Sequence, residues 1–259
     1  YWGGVIINGK APISGSKTDK SDTALTEINN DYKYGGSAAD DNSGSLTYVK
    51  ICYAGARSTA DIEHNGLTLN GVGNGTKIEN IYVLESADDA IEFFGGTVNV
   101  TNLLAVNPDD DMFDFTQGYC GTLKNCYGVW ESDYTSTEAD PRGIEADGNM
   151  DGLYPDHLRQ SDFKVENMTI VNNAANTADN VDRMQDVIKI RRGAKATITN
   201  ALVKGTGGAI DLVDMKDSKG AGNIESSIHI TNALSFTGVK QNGELNTFCL
   251  LYTSPSPRD

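Results

Sequence analysis

Thr76-Lys-Ile-Glu-Asn-Ile-Tyr-Val-Leu84 is the stretch that decides the fold, because its pattern recurs twice in the residues that follow. The copies are Thr97-Val-Asn-Val-Thr-Asn-Leu-Leu-Ala105 and Thr122-Leu-Lys-Asn-Cys-Tyr-Gly-Val-Trp130. Each copy places an asparagine before a short apolar strand. Between the copies, Asp88-Asp-Ala-Ile-Glu-Phe93 matches Asp110-Asp-Met-Phe-Asp-Phe115. A period in the low twenties with two strands per repeat is typical of a solenoid.

The asparagine recurs at one fixed place in each repeat, with Tyr48 in the equivalent position of an earlier copy. Asparagine tolerates the left-handed backbone of a tight turn, and stacked side-chain amides can hydrogen-bond from one coil to the next. The sequence therefore predicts an asparagine ladder that is formed by Asn80, Asn102, Asn125, Asn167, Asn200 and Asn232.

A second element of the repeat is an apolar–any–apolar triplet. Its copies are Leu67-Thr-Leu69, Ile91-Glu-Phe93, Phe113-Asp-Phe115, Ile144-Glu-Ala146, Ile188-Lys-Ile190 and Ile210-Asp-Leu212. Because a strand has a period of two, the outer residues of each triplet point inward and the middle residue points outward. We therefore predict an all-β fold, a single-stranded right-handed parallel β-helix of about seven coils.

The composition fits one domain, since 259 residues with 28 Gly and 6 Pro show no linker-like break. The first strand, Val5-Ile-Ile7, follows Tyr1 almost at once, so we expect the native N-terminus and any signal sequence to be missing. Residues 249–259 resemble a translated sequencing adaptor, and we expect a non-native tail there. Residues 1–248 are then the β-helix domain, truncated at both ends.

The formal net charge of −15 argues against nucleic acid as a partner, because the phosphate backbone would repel this surface. The sequence contains no apolar run long enough to span a bilayer. The histidines His64, His157 and His229 share no metal-binding spacing, so zinc is not expected.

Several further segments resemble a family of secreted or surface-anchored bacterial β-helix proteins of unestablished function. They include Tyr-Trp-Gly-Gly-Val-Ile-Ile-Asn-Gly-Lys-Ala-Pro (1–12), Asn-Gly-Leu-Thr-Leu-Asn-Gly-Val-Gly-Asn-Gly-Thr (65–76), Ala-Asp-Asp-Ala-Ile-Glu-Phe-Phe-Gly-Gly-Thr-Val (87–98), Gly-Ile-Glu-Ala-Asp (143–147) and Ile-Lys-Ile-Arg-Arg (188–192). The resemblance implies an exported protein, outside the cell or on its surface, often with lipoprotein or sorting signals. It supplies no catalytic residues.

The middle residues of the triplets should stack into one outward column, which consists of Thr68, Glu92, Asp114, Glu145, Lys189 and Asp211. Two carboxylates about 5 Å apart repel by roughly 3 kcal/mol at an effective dielectric of about 20. That repulsion must be relieved by splaying into water, by a raised pKa, by a neighbouring cation such as Lys189, or by a bound metal ion.

Beside this column, Asp88 should stack on Asp110 and Asp89 on Asp111. Such a dense set of carboxylate oxygens suits Ca²⁺. Aspartates that only cap turn amides are the alternative.

Three functions remain open from the sequence. The first is a surface protein that binds a glycan, calcium or a partner protein along an acidic groove. The second is a lyase or hydrolase of acidic polysaccharides, with Lys189 as base and Arg191 and Glu145 nearby, since elimination needs a base and a cation. Ligand contacts are then expected at Glu92, Asp114, Glu145, Lys189, Arg191 and Asp211. The third is a purely structural, adhesin-like stalk.

Overall fold

The computed structural model describes residues 1–56, 64–174, 184–205, 209, 211–216, 225–235, 240–241 and 244–245. Two seven-stranded parallel sheets run along these residues and together form seven coils. The chain is a right-handed parallel β-helix, which confirms the predicted fold class. The tail predicted at 249–259 lies outside the described residues.

Each coil contributes a short strand to one sheet, which we call the short-strand sheet. Its members are β1 (Val5–Asn8), β5 (Leu67–Asn70), β7 (Ile91–Phe94), β9 (Phe113–Thr116), β11 (Ile144–Asp147), β13 (Asp186–Arg191) and β15 (Asp211–Asp214). Neighbouring strands pair in register, as Leu67 with Ile91 and Phe93 with Phe115 show.

The long-strand sheet contains the other strand of each coil. Its members are β4 (Ser45–Cys52), β6 (Lys77–Leu84), β8 (Asn99–Val106), β10 (Thr122–Trp130), β12 (Asp162–Asn172), β14 (Lys195–Lys204) and β16 (Ser227–Ser235). Two small antiparallel pairs, β2 (Thr23–Leu25) with β3 (Lys33–Gly35) and β17 (Lys240–Gln241) with β18 (Glu244–Leu245), lie outside the two large sheets. A 3₁₀ turn covers Met150–Gly152.

Every long strand bends at the predicted ladder position, where the backbone is left-handed. Asn102 has a φ of 59° and Tyr48 a φ of 56°. Each ladder asparagine after Asn80 donates its side-chain amide to the asparagine of the preceding coil, at 2.8 to 3.2 Å. The asparagine ladder is therefore present along six coils, and Tyr48 occupies the same corner of the first coil without an amide.

The core follows the predicted alternation of the triplets. Leu67, Leu69, Ile91 and Phe93 are fully buried, as are the equivalent residues of β9 and β11. Phe93 stacks on Phe115 in the next coil, with ring centroids 5.1 Å apart and planes 11° apart. The same apolar residue type on the same side of successive strands thus produces a continuous core.

The turns leave the short-strand sheet at two opposite edges. Residues 85–90, 107–112 and 131–143 enter the short strands at one edge, and residues 71–76, 95–98 and 148–161 leave them at the other. Residues 9–44 run along this second edge over several coils, with hydrogen bonds from Ala11 N to Gly71 O at 2.7 Å and from Ser14 N to Gln117 O at 2.9 Å. The short-strand sheet is therefore the floor of a groove between two walls of turns.

Within the described part of the chain, Cys52, Cys120 and Cys126 are free thiols, and Cys126 is buried. No helix found there has the length and apolar character needed to cross a membrane.

The ladder should contribute measurably to stability. Asn102→Ala removes two amide hydrogen bonds. Alanine is also less stable than asparagine in the left-handed backbone conformation at this position. We therefore expect the free energy of unfolding to fall by about 2–3 kcal/mol. Asn102→Gly keeps the backbone conformation at no steric cost and should lose about half as much. Urea denaturation measures both values.

Tyr48→Asn is the matched gain-of-stability variant, because it extends the ladder to the first coil. No loss of stability in either Asn102 variant, together with no gain for Tyr48→Asn, would contradict a stabilising role of the ladder.

Candidate functional site

The floor of the groove carries the predicted outward column. Register pairs join Thr68 to Glu92, Glu92 to Asp114, Asp114 to Glu145, and Glu145 to Lys189. These contacts arise because the coils stack without slipping, so the residue between two inward apolar residues always meets its equivalent in the next coil. The first five members of the column are as predicted.

The prediction for the last member of the column was wrong. Asp214, and not Asp211, pairs with Lys189, while Asp211 pairs with Asp186. The triplet at 210–212 therefore does not supply the next residue of the column. The physical reason is a buried ion pair, since Lys189 Nζ lies 2.5 Å from Asp214 Oδ2.

Lys189, the predicted base, is only 4% exposed and its ammonium is used in this ion pair. Breaking such a pair by removing one partner leaves an uncompensated charge and typically costs about 3–5 kcal/mol. The structure therefore gives Lys189 a structural contact, and a catalytic role stays a prediction.

Arginines neutralise the carboxylates in the middle of the column. Arg142 and Arg191 both form ion pairs with Glu145. Arg191 Nε also lies 2.7 Å from Asp147 Oδ1, and Arg192 Nη1 lies 2.6 Å from Asp147 Oδ2. Glu145, Asp147 and the three guanidinium groups thus belong to one network, and these side chains except Arg191 are more than nine-tenths buried. Arg142 also pairs with Asp140 and Asp186.

The other half of the column is acidic and has no such neutralising network. Asp89, Glu92 and Asp114 each offer a carboxylate oxygen, and these oxygens lie within 4.8 Å of one another. The ion pairs among the described residues include none of these three carboxylates. Asn65 Nδ2 donates to Glu92 Oε2, and Asp114 Oδ1 is buried with no hydrogen-bond donor. We call Asp89, Glu92 and Asp114 the acidic triad.

The predicted metal cluster lies directly beside the triad. Asp88, Asp89 and Asp110 form a second group whose oxygens lie within 4.8 Å of one another. Asp89 Oδ1 also accepts a hydrogen bond from the Asp111 amide at 2.9 Å, which is the capping role that the alternative interpretation expects. Asp111 is 2% exposed, and its Oδ1 has no donor. Asp111 is not in either group.

Burial raises the pKa values of these carboxyl groups, and their mutual repulsion raises them further. The pKa of Asp114 rises to about 8, chiefly through burial and then through the charge of Asp147. The pKa values of Asp89, Glu92 and Asp111 are raised well above their usual range for the same two physical reasons. At neutral pH the triad therefore retains a proton unless another cation replaces it.

The sequence analysis missed Arg142, Asp147, Arg192 and Asn65. Asp147 could have been found, because it lies two residues from Glu145 on the same strand and so shares its outward face. Arg142, Arg192 and Asn65 come from turns, where no repeated spacing marks them. The structure brings Glu145, Lys189 and Arg191 together as predicted, with Glu92 and Asp114 on the neighbouring coils.

Comparisons with known proteins give one finding on the family. A family model described as a pectate-lyase-like beta helix domain matches residues 1–254. No curated protein and no solved structure matches the chain.

The raised pKa of Asp114 predicts a pH-dependent stability in the presence of a chelator. The usual pKa of Asp is about 3.9, so between about pH 4 and pH 8 the folded state holds a proton that the unfolded chain has released. Stability should fall as the pH rises through this window, by at most about 1.4 kcal/mol per pH unit for each such group. Urea midpoints across the window measure it.

Asp114→Asn should flatten this dependence, because an amide does not titrate. Glu166→Gln is the control, since Glu166 lies on the long-strand sheet and pairs with the exposed Lys124. A profile that is the same for Asp114→Asn and for the unaltered protein would exclude titration of Asp114 in this range.

Proposed function

The chain belongs to the pectate-lyase-like β-helix family, and from this premise we propose that its groove binds an acidic polysaccharide through a divalent cation held by the acidic triad. The observation that carries the proposal is the convergence of three carboxylates within 4.8 Å of one another, two on the groove floor and one, Asp89, on the turn before β7. These carboxylates have no ion-pair partner among the described residues, in contrast to Glu145 and Asp147, which both lie on the next strand, β11.

The donor set fits calcium. Two oxygens that each lie 2.3–2.6 Å from one Ca²⁺ can be at most about 5 Å apart, and the triad meets this limit. Calcium also accepts irregular geometry and carboxylate ligands from different strands. Asp89, Glu92 and Asp114 would hold the ion, with Asp88 and Asp110 from the adjoining group able to contribute. Asp114 Oδ1 then gains the partner that it lacks.

The charge of the chain makes such an ion necessary for a polyuronate ligand. A surface with a net charge of −15 repels a polyanion, and that repulsion extends over about 10 Å at moderate salt. A bound divalent cation would neutralise protein carboxylates and a ligand carboxylate at the same place. Because polysaccharides of this class are met outside the cell, we also propose that the protein acts outside the cell or on its surface.

We expect binding of polygalacturonate or alginate that depends on calcium. Isothermal titration calorimetry with either polymer should give heat in calcium and none in excess chelator. Calcium alone should raise the melting temperature, because a ligand that binds only the folded state stabilises it. Asp114→Asn replaces one carboxylate of the triad with an amide. It should weaken the affinities for calcium and for the polymer by about tenfold or more. The calcium-induced rise in melting temperature should therefore be smaller.

Glu166→Gln removes one carboxylate from the opposite sheet and should change neither result. Calcium-independent binding of the polymers would contradict the role of the triad. No binding and no calcium-induced thermal shift would leave the structural stalk as the simpler function.

Polysaccharide elimination is a second candidate, favoured by the environment of Arg191. Burial, with the positive charges of Arg192 and Arg142, lowers the pKa of Arg191 to about 10. A neutral guanidine could take the proton alpha to a uronate carboxylate. The C–H electrons then form the ring double bond as the glycosidic C–O bond breaks, and the leaving oxygen takes a proton from water. Both candidate bases are ion-paired, Arg191 with Glu145 and Asp147 and Lys189 with Asp214, so the lowered pKa is what favours Arg191.

Arg191→Lys should therefore lower the release of unsaturated product by about a hundredfold or more. Lys189→Ala should lower the melting temperature but retain release wherever the protein is folded. Ultraviolet absorbance of the unsaturated product measures release, and circular dichroism identifies the folded fraction. Loss of release in folded Lys189→Ala, with full release by Arg191→Lys, would restore Lys189 as the base.

A further inference from the structure

A cavity of about 540 Å³ lies between the hairpin formed by β2 and β3 and the first coils of the short-strand sheet. Its floor includes Ile6, Thr68 and Asn70, and its wall includes residues 16–28 of the segment that precedes and forms the hairpin. The volume lies within the range of about 300–1,000 Å³ that small-molecule sites occupy. None of the predicted catalytic, ligand or metal residues lines it.

The chemistry of this cavity differs from that of the acidic triad. The polar groups of its floor are neutral, namely the hydroxyl of Thr68 and the amides of Asn65 and Asn70. Phe94 and Ile6 add apolar surface. The charged side chains Lys17 and Glu27 on the wall form an ion pair with each other.

A hydrogen-bonded contact joins this cavity to the triad. Asn65 Nδ2 donates to Thr68 Oγ1 at 3.3 Å and also to Glu92 Oε2, so its amide nitrogen points toward the carboxylate. Asn65 Oδ1 is buried and has no hydrogen-bond donor among the described residues. A buried acceptor without a donor is unfavourable, and a hydroxyl group that reaches the amide would relieve it.

Hydroxyl groups together with apolar ring faces are the chemistry of a neutral sugar. Neutral hydroxyl and amide side chains bind hydroxyl groups as donors and acceptors, and the apolar side chains offer a surface to the C–H face of a ring. A uronate fits the floor less well than a neutral unit, because its carboxylate would meet the negative field of Glu92 there, and the two lysines of the wall, Lys17 and Lys33, are accompanied by the carboxylates of Glu27 and Asp19.

We propose that this cavity binds a neutral sugar unit of the same glycan whose uronates lie over the acidic triad. Thr68 and Glu92 occupy neighbouring coils, which are about 4.8 Å apart, so a continuous ligand can reach both places. The preferred ligand is then a heteropolysaccharide with neutral and acidic units and not a polyuronate alone. This inference rests on the proposed function for the acidic units only.

The experiment uses the full chain in chelator and measures saturation-transfer NMR with the methyl glycosides of glucose, galactose and mannose. At least one of the three should bind without calcium. Thr68→Val, which keeps the shape of the side chain, and Asn65→Ala should each weaken that binding by about tenfold. Lys124→Ala, on the long-strand sheet, should leave it unchanged. Circular dichroism confirms that each variant is folded.

An aldobiuronic acid, which links one neutral sugar to one uronate, tests the connection to the triad. In calcium it should bind more tightly than the best methyl glycoside, and Asp114→Asn should remove that advantage. The cavity assignment is overturned if none of the three methyl glycosides binds. It is also overturned if Thr68→Val and Asn65→Ala bind as tightly as the unaltered protein. The remaining outcome is that the methyl glycosides bind as expected but the aldobiuronic acid binds no more tightly in calcium than the best of them. That outcome overturns the proposed function and leaves the neutral-sugar site in place.

Discussion

In-register stacking of the coils is the constraint on which the rest of the structure depends. The asparagine ladder bends every long strand at the same residue and hydrogen-bonds each coil to the preceding one at that corner. Because each coil then begins its short strand in the same place, equivalent residues meet along the whole sheet. On the inward side this places Phe93 on Phe115 and yields a dry core. On the outward side the same rule places Glu92 on Asp114.

The two sides respond differently to stacking because like apolar groups attract in water and like charges repel. Repulsion of roughly 3 kcal/mol between successive carboxylates must be offset locally. Around Glu145 the chain offsets it with ion pairs to Arg142 and Arg191. Glu92 and Asp114 have no ion pair among the described residues. Arg191 and Arg142 act on Asp114 only from beyond ion-pair distance, and the raised pKa of Asp114 expresses the remaining cost. The groove floor therefore has one half whose carboxylates are ion-paired and one half whose carboxylates are not.

The sequence alone predicts the fold and most of the column, because both depend on residues that repeat. Triplets with a period of two and one asparagine per coil identify the inward face, the corner and the stacking partners of Glu92, Asp114 and Glu145. The prediction of the last member of the column was wrong. Ile210-Asp211-Leu212 has the triplet pattern, but Asp214 is the residue that pairs with Lys189 and forms an ion pair with it. Arg142 was missed because it enters from a turn, where sequence spacing carries no register.

This division explains why the architecture is easier to predict than the function. Core and ladder positions admit few residue types, since a slip of one residue would turn the apolar side chains to water. Outward positions are under no such limit, so their chemistry can change from coil to coil without altering the fold. Within a few coils the floor passes from neutral Thr68 through acidic Glu92 and Asp114 to the ion-paired Lys189. A ligand that matches this order, neutral and then acidic, would be recognised by the sequence of coils along the groove.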